Sequence, residues 1–186
     1  MSNASKRSSF NGDPPRNADD FKTLYQYNAW ANHRTLDACA TVPAAEFTRE
    51  LDSSFRSVRD TLVHIMAVEL VWLERWKLKW DGTFRKASDF PDVASVRQAW
   101  KGIEAELLAF VDGLSDEDVH RIVPHKNSAG AEFRMPLWQL LQHLVNHGTY
   151  HRGQITTLVR QAGGKPIATD LVAFYRERDA AAANQK

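Results

Sequence analysis

From Ala18 onward the chain places apolar residues at three- and four-residue intervals, the spacing that builds one face of an α-helix. Phe21, Leu24, Tyr25, Ala31 and Leu36 predict a first helix that ends before Val42-Pro43. A second opens at Ser57, whose hydroxyl can cap it. It carries Val58, Leu62, Ile65, Val68, Leu70, Trp72, Leu73 and Trp76 to about Trp80, where Asp81-Gly82 breaks it. Being apolar over most of its circumference, this helix is expected at the centre of the fold. A third follows Pro91 with Val96, Trp100, Ile103, Leu107, Leu108 and Val111, and stops near Gly113. The fourth starts at Pro136, runs through Leu137, Leu140, Leu141, Leu144, Val145, Ile155, Leu158 and Val159, and ends at Gly163-Gly164. Between the third and fourth, residues 120–135 predict a loop or a small hairpin, with Pro124 confining any strand to an edge. Residues 169–182 predict a short terminal helix that packs Leu171, Val172 and Phe174 on the rest.

Four segments of this length are most economically an all-α four-helix bundle with a short C-terminal helix, forming a single domain over residues 18–182. Residues 1–17 are rich in Ser, Asn, Pro and basic side chains, with Phe10 as the one aromatic, and read as a flexible tail without assigned function.

Composition narrows the function classes. At 186 residues and 43% hydrophobic, the chain can bury one substantial core. Lys+Arg number 24 against Asp+Glu 23, so the basic excess of a non-specific nucleic-acid binder is missing and nucleic acid is not an expected partner. No apolar run approaches the roughly 18 residues of a membrane span, so no membrane association is expected. A single cysteine, Cys39, cannot close an intrachain disulfide, and no secretory pattern is visible; a cytoplasmic location is the expectation. Cys39 reads as a small buried hydrophobe. Trp30, Trp72, Trp76 and Trp138 read as core or dimer surface rather than a substrate box.

The histidines change the picture. His143, His147 and His151 stand at successive i, i+4 positions in the fourth predicted helix, whereas chance placement of seven histidines gives about 0.26 such pairs. At about 100° per residue these three, with Tyr150 and Gln154, occupy one face, and that face also holds Leu140, Leu144 and Leu158, so it should look into the bundle. Burying so many polar groups is costly unless each finds a partner, and a divalent metal is a strong partner for two imidazoles one turn apart. Spacing alone leaves His143-His147 and His147-His151 as equally good pairs. His64, alone among Leu62, Val63, Ile65 and Met66, is either a satisfied core histidine or the ligand from a second helix.

Three stretches, YNAWANHRTL in the first predicted helix, LVHIMAVELVWLERW in the second and LQHLVNHGTYHRGQITTLVRQAGG in the fourth, resemble the DinB-like family of metal-binding four-helix-bundle proteins. The resemblance spans about residues 18–175, and HxxxHRGQ is its most specific part. It implies a divalent ion, zinc or nickel, held by His64, His147 and His151, whose ring nitrogens should then lie within about 4 Å of one another. It also implies an open coordination position and a homodimer. His143 becomes a candidate for a supporting role, alongside Tyr150 and Gln154. Some members are thiol-dependent S-transferases or isomerases using a low-molecular-weight thiol, so a small-molecule substrate is the expected partner. Two functions follow: an enzyme activating a thiol or water at the ion, or a non-catalytic metal-binding bundle acting through its dimer surface.

Overall fold

The computed structural model describes residues 16–127 and 130–184. Its elements run α1 (Ala18–Ala40), α2 (Ala44–Phe47), α3 (Val58–Trp76), a single 3-10 turn (Ala87–Asp89), α4 (Val93–Asp112), α5 (Asp116–His120), β1 (Ile122–Lys126), β2 (Glu132–Pro136), α6 (Leu137–Gln161) and α7 (Leu171–Ala183). The expected tail falls outside the described residues except for Arg16 and Asn17, and Asn17 caps α1 by accepting from the Asp20 amide.

Polar side chains and turns set the helix limits. Ser57 accepts from the Asp60 amide at the start of α3, as its position predicts. The helix ends four residues earlier than the sequence suggests, at Trp76, because Leu78 takes φ 57°, a left-handed conformation that an α-helix cannot continue. Asp92 and Ser95 form a reciprocal capping box on α4, and Gly113 closes it. Gly163, at φ 75°, stops α6. Residues 120–135 resolve into an antiparallel hairpin with Val123 opposite Met135, and Pro124 lies on a two-stranded ladder in which both strands are edges.

The four long helices form the bundle. α1 and α3 each pack on both α4 and α6, which places α1 diagonally across from α3. The core is in two apolar parts. One gathers Phe21, Tyr25, Leu73, Trp76, Val111, Leu137 and Leu141; the other gathers Leu36, Cys39, Leu62, Met66, Val96, Trp100, Ile155 and Val159. In sequence order along each helix, Asn32, Glu69 and Arg152 fall between the two sets, with Asn28 one turn before Asn32, and all four are buried. Of the three residues expected to anchor the C-terminal helix, only Phe174 is buried. It packs edge-on to Tyr27 and Trp30, and Glu177 on the same helix accepts from Trp30 Nε1 and Arg34 Nη1, so these contacts set the face that α7 turns to α1 and leave Leu171 and Val172 36% and 55% exposed.

Candidate metal centre

The polar layer explains how α6 is held. Arg152 is 1% exposed, and its Nη1 donates to Asn28 Oδ1 and Asn32 Oδ1, both at 2.9 Å. The two asparagine amides in turn donate to Glu69 Oε1 at 2.7 and 2.8 Å, and Trp100 Nε1 donates to Glu69 Oε2 at 2.6 Å. A cation on α6 and an anion on α3 are thus bridged by two asparagines one turn apart on α1, an arrangement that links a buried charge pair without direct contact and, of the atoms in this network, leaves only Arg152 Nε without a partner among the described residues. Burial pushes the Glu69 carboxyl up, opposed by its three hydrogen bonds and by Arg152. Gly148 makes the approach possible: a Cβ there would sit 2.8 Å from Arg152 Nη1 and 3.1 Å from Asn28 Oδ1. Gly148 lies inside the histidine repeat and Arg152 directly follows its last member, so the network fixes the turn that carries His147 and His151.

Across the helix from this network, His64 of α3 meets the α6 histidines. His64 Nε2 stands 3.0 Å from His147 Nε2, and one ring nitrogen from each of His64, His147 and His151 lies within 4.8 Å of the others. The closest pair meets the separation expected of ligands on one ion, and the full set is somewhat more open. His64 and His147 are half-buried and His151 is buried. Burial, followed by the neighbouring His151, lowers His64 to about 4; burial, followed by His151 and His64, lowers His147 to about 3. Both rings are therefore neutral at pH 7 and carry a free lone pair. His151 Nδ1 lies 2.7 Å from Gln154 Oε1, an acceptor only, so Nδ1 carries the proton and Nε2 keeps its lone pair. Gln154 Nε2 donates at 3.5 Å to Ser54 Oγ.

Two neutral imidazoles facing each other nitrogen to nitrogen either share a proton or direct both lone pairs at one cation. With a third oriented imidazole beside them, the donor set fits a divalent ion of borderline softness. One departure stands: His147 Nδ1 is buried without a hydrogen-bond partner among the described residues, whereas ligating histidines usually bond their outer nitrogen.

Phe55, in the irregular stretch before Ser57, covers the site. Its ring stacks on His64 at 4.0 Å between centroids and meets His151 edge-on at 5.3 Å. Sequence reasoning missed Phe55, Gly148 and Arg152. A lone aromatic in a polar stretch just before a helix cap was the available signal for Phe55, and an arginine on a helix turn containing glycine was the signal for the other two.

The expectation that the whole histidine face looks inward holds only at its trailing edge. His143 is exposed and Tyr150 is 63% exposed. Each i, i+4 step advances the stripe by about 40°, so its leading edge emerges from the interface instead of staying within it. His143 contacts Trp72 edge-on at 5.5 Å and His147 at 6.0 Å, and partial desolvation by its neighbours, followed by the charge of His125, lowers its pKa although the residue stays exposed. Tyr150 touches the His151 ring edge-on at 5.0 Å. Cys39 is fully buried, which pushes its thiol up to about 12 and leaves it protonated at neutral pH. Trp72, Trp76 and Trp138 are core residues, and Trp30 is partly buried against Phe174.

Four long helices with imidazoles converging from two of them define a helical bundle with a histidine-lined candidate metal centre. Comparison with known proteins adds the family: the DinB family profile matches residues 10–182, and the chain belongs to that family. It is 27% identical over 154 residues to Protein DinB of Bacillus subtilis, covering 79% of this chain and 88% of that one. It is 20% identical over 149 residues to the uncharacterized protein YizA of the same organism, covering 80% and 92%. A crystal structure of a DinB-like protein from Bacillus cereus superposes with a TM-score of 0.65 at 21% identity, covering 83% of this chain and 99% of that chain, and shows the same fold. Among the described residues no helix is long and apolar enough to cross a membrane.

Proposed function

We propose that this chain is a metal-dependent enzyme that holds zinc or nickel through His64, His147 and His151 and activates a low-molecular-weight thiol, or water, for attack on a small-molecule electrophile. The observation that carries the proposal is the approach of three imidazoles from two helices, with the Nε2 atoms of His64 and His147 3.0 Å apart and both rings held neutral by burial. Three neutral ligands would leave the ion its full charge and an open position, which lowers the pKa of a thiol or water entering it. The protein's own contributions are to keep the imidazoles unprotonated, to orient His151 through Gln154, and to shield one side of the site with the Phe55 ring. In S-transfer, sulfur bonds to the electrophilic carbon as the leaving group departs with its electron pair, and the thiol proton passes to solvent. Half-exposure of His64 and His147 favours access by a small molecule over a closed structural site. A homodimer is proposed as the assembly, to be checked by sedimentation.

Titrating the cobalt-substituted protein with glutathione tests the reading. Sulfur-to-metal charge-transfer absorption should appear, and His64→Ala and His151→Ala should each abolish it. Hydrolysis of a test ester or amide without any thiol-induced band would instead favour water activation. Absence of both would leave the non-catalytic metal-binding bundle as the better reading.

A further inference from the structure

The face of α3 that carries His64 continues toward the hairpin. Arg75 follows His64 by eleven residues, about 16 Å along the helix axis and within about 20° of the same direction, with Val68 and Trp72 between them. α6 runs antiparallel beside it, since His64 meets His147 while Trp72 meets His143. Trp72 also contacts His125 of β1 at 5.2 Å, so a wall of rings leads from the histidine cluster to the hairpin. At its far end lies a cavity of about 400 Å³ lined by Arg75, Trp80, Asp81, His125 and Lys126 among others.

Arg75 is the unusual member. Its guanidinium lies over the rings of both Trp72, at 4.9 Å, and Trp80, at 4.2 Å. Among the described residues it has no carboxylate partner and no hydrogen-bond acceptor, and its Nε is buried without a partner. Contact with two tryptophans restricts the guanidinium while its Nη groups have no partner among the described residues, which suits it to two oxygens of one anionic group. Lys126 adds a second charge, only loosely committed to Glu132 across an exposed 3.1 Å pair. Asp81, the one acidic side chain lining the cavity among the described residues, is engaged by Thr83, whose amide and hydroxyl donate to its Oδ1 at 2.9 and 2.7 Å. The exposed Leu78, held outward at φ 57°, forms part of the rim.

We infer that this cavity binds a carboxylate or phosphate group, and that the substrate or thiol of the histidine site is an elongated anionic molecule whose charged end is anchored on Arg75 and Lys126. This rests on the function proposed above for its second half; the anion site itself does not. Trp72 and Trp80 stack on Arg75, so tryptophan fluorescence reports occupancy.

The full-length protein is titrated with malate and, separately, with inorganic phosphate at low ionic strength. Saturable quenching is expected with at least one, and the stronger response identifies the group. Arg75→Gln should weaken it at least ten-fold and Lys126→Gln several-fold, at unchanged far-ultraviolet circular dichroism. His64→Ala should bind as wild type does, so a failure of the metal reading leaves this arm intact. In the cobalt protein, glutathione should bind more tightly than its diethyl ester, and Arg75→Gln should erase that difference. Unsaturable quenching, equal affinity in Arg75→Gln, or loss of anion binding in His64→Ala would overturn the site. Binding to phosphatidylglycerol vesicles with no response to either soluble anion would overturn it too, in favour of a membrane-facing patch.

Discussion

Replacing Arg152 with methionine tests the buried layer that holds α6. The side chains are of similar length, so little volume is lost, but three hydrogen bonds at 2.9 Å, to Asn28, Asn32 and Thr149, disappear. What remains is worse than the loss of those bonds: Asn28 Oδ1 and Asn32 Oδ1 are left without their donor, and the Glu69 carboxylate keeps its negative charge with its countercharge gone. Breaking one side of a buried charge pair costs about 3–5 kcal/mol, and in a chain of this size each kcal/mol lowers the melting temperature by about 2–4 °C. A fall of roughly 10 °C at pH 7.5 is expected by calorimetry, with a matching drop in the urea midpoint. The pH dependence separates a charge effect from simple loss of packing. Burial raises the Glu69 carboxyl in the folded state, so between the unfolded value of about 4.3 and the folded value the native protein binds more protons than the unfolded chain. Stability from this group is therefore fully present at low pH and lost as pH rises through the folded pKa. Without Arg152 the folded pKa rises further, the window widens upward, and the deficit relative to wild type should grow from pH 5 to pH 8. A deficit below 1 kcal/mol, or one constant over that range, would refute the argument.

Chelator treatment should lower the melting temperature of wild type, because an ion bound only by the folded state stabilises it by mass action. His147→Ala should abolish that sensitivity while His33→Ala and His125→Ala retain it, as thermal shift would record. Gln154→Leu frees the His151 ring to rotate and change tautomer, and should weaken metal affinity about 10–100-fold in a competitive chelator titration. Gly148→Ala gains helix propensity but drives a methyl to 2.8 Å from Arg152 Nη1, so a net loss of about 1–2 kcal/mol in urea unfolding is expected, and a gain would show the network to be looser than it looks.

The long helices were legible because their signal is local. Apolar spacing, Ser57 as a cap, Gly113 and Gly163 as stops, and Pro124 as an edge marker each act within a turn or two, so the sequence carries them in one window. The end of α3 was misplaced for the converse reason. Lys77 and Lys79 are good helix formers and Trp80 extends the apolar pattern, and nothing local announces a leucine at φ 57°. Short α2 and α5, four and five residues long, lie below the length at which periodicity is measurable.

At the histidines the same distinction operates within a single helix. Spacing could not rank His143-His147 against His147-His151, because an isolated helix presents both pairs equally. The choice lies in what faces each pair: His64 and Phe55 face the second, whereas Trp72 faces His143. The resemblance supplied that choice from outside the chain, and the fold brings the same three rings together by another route. Arg152 pins one flank of the turn to α1 through Asn28 and Asn32, which directs His147 and His151 to the opposite flank, where α3 passes. The polar layer thereby couples core stability to the aim of the imidazoles. A variant that loosens Arg152 should weaken metal binding without touching a ligand, whereas one that removes His64 should weaken metal binding and leave the polar layer intact.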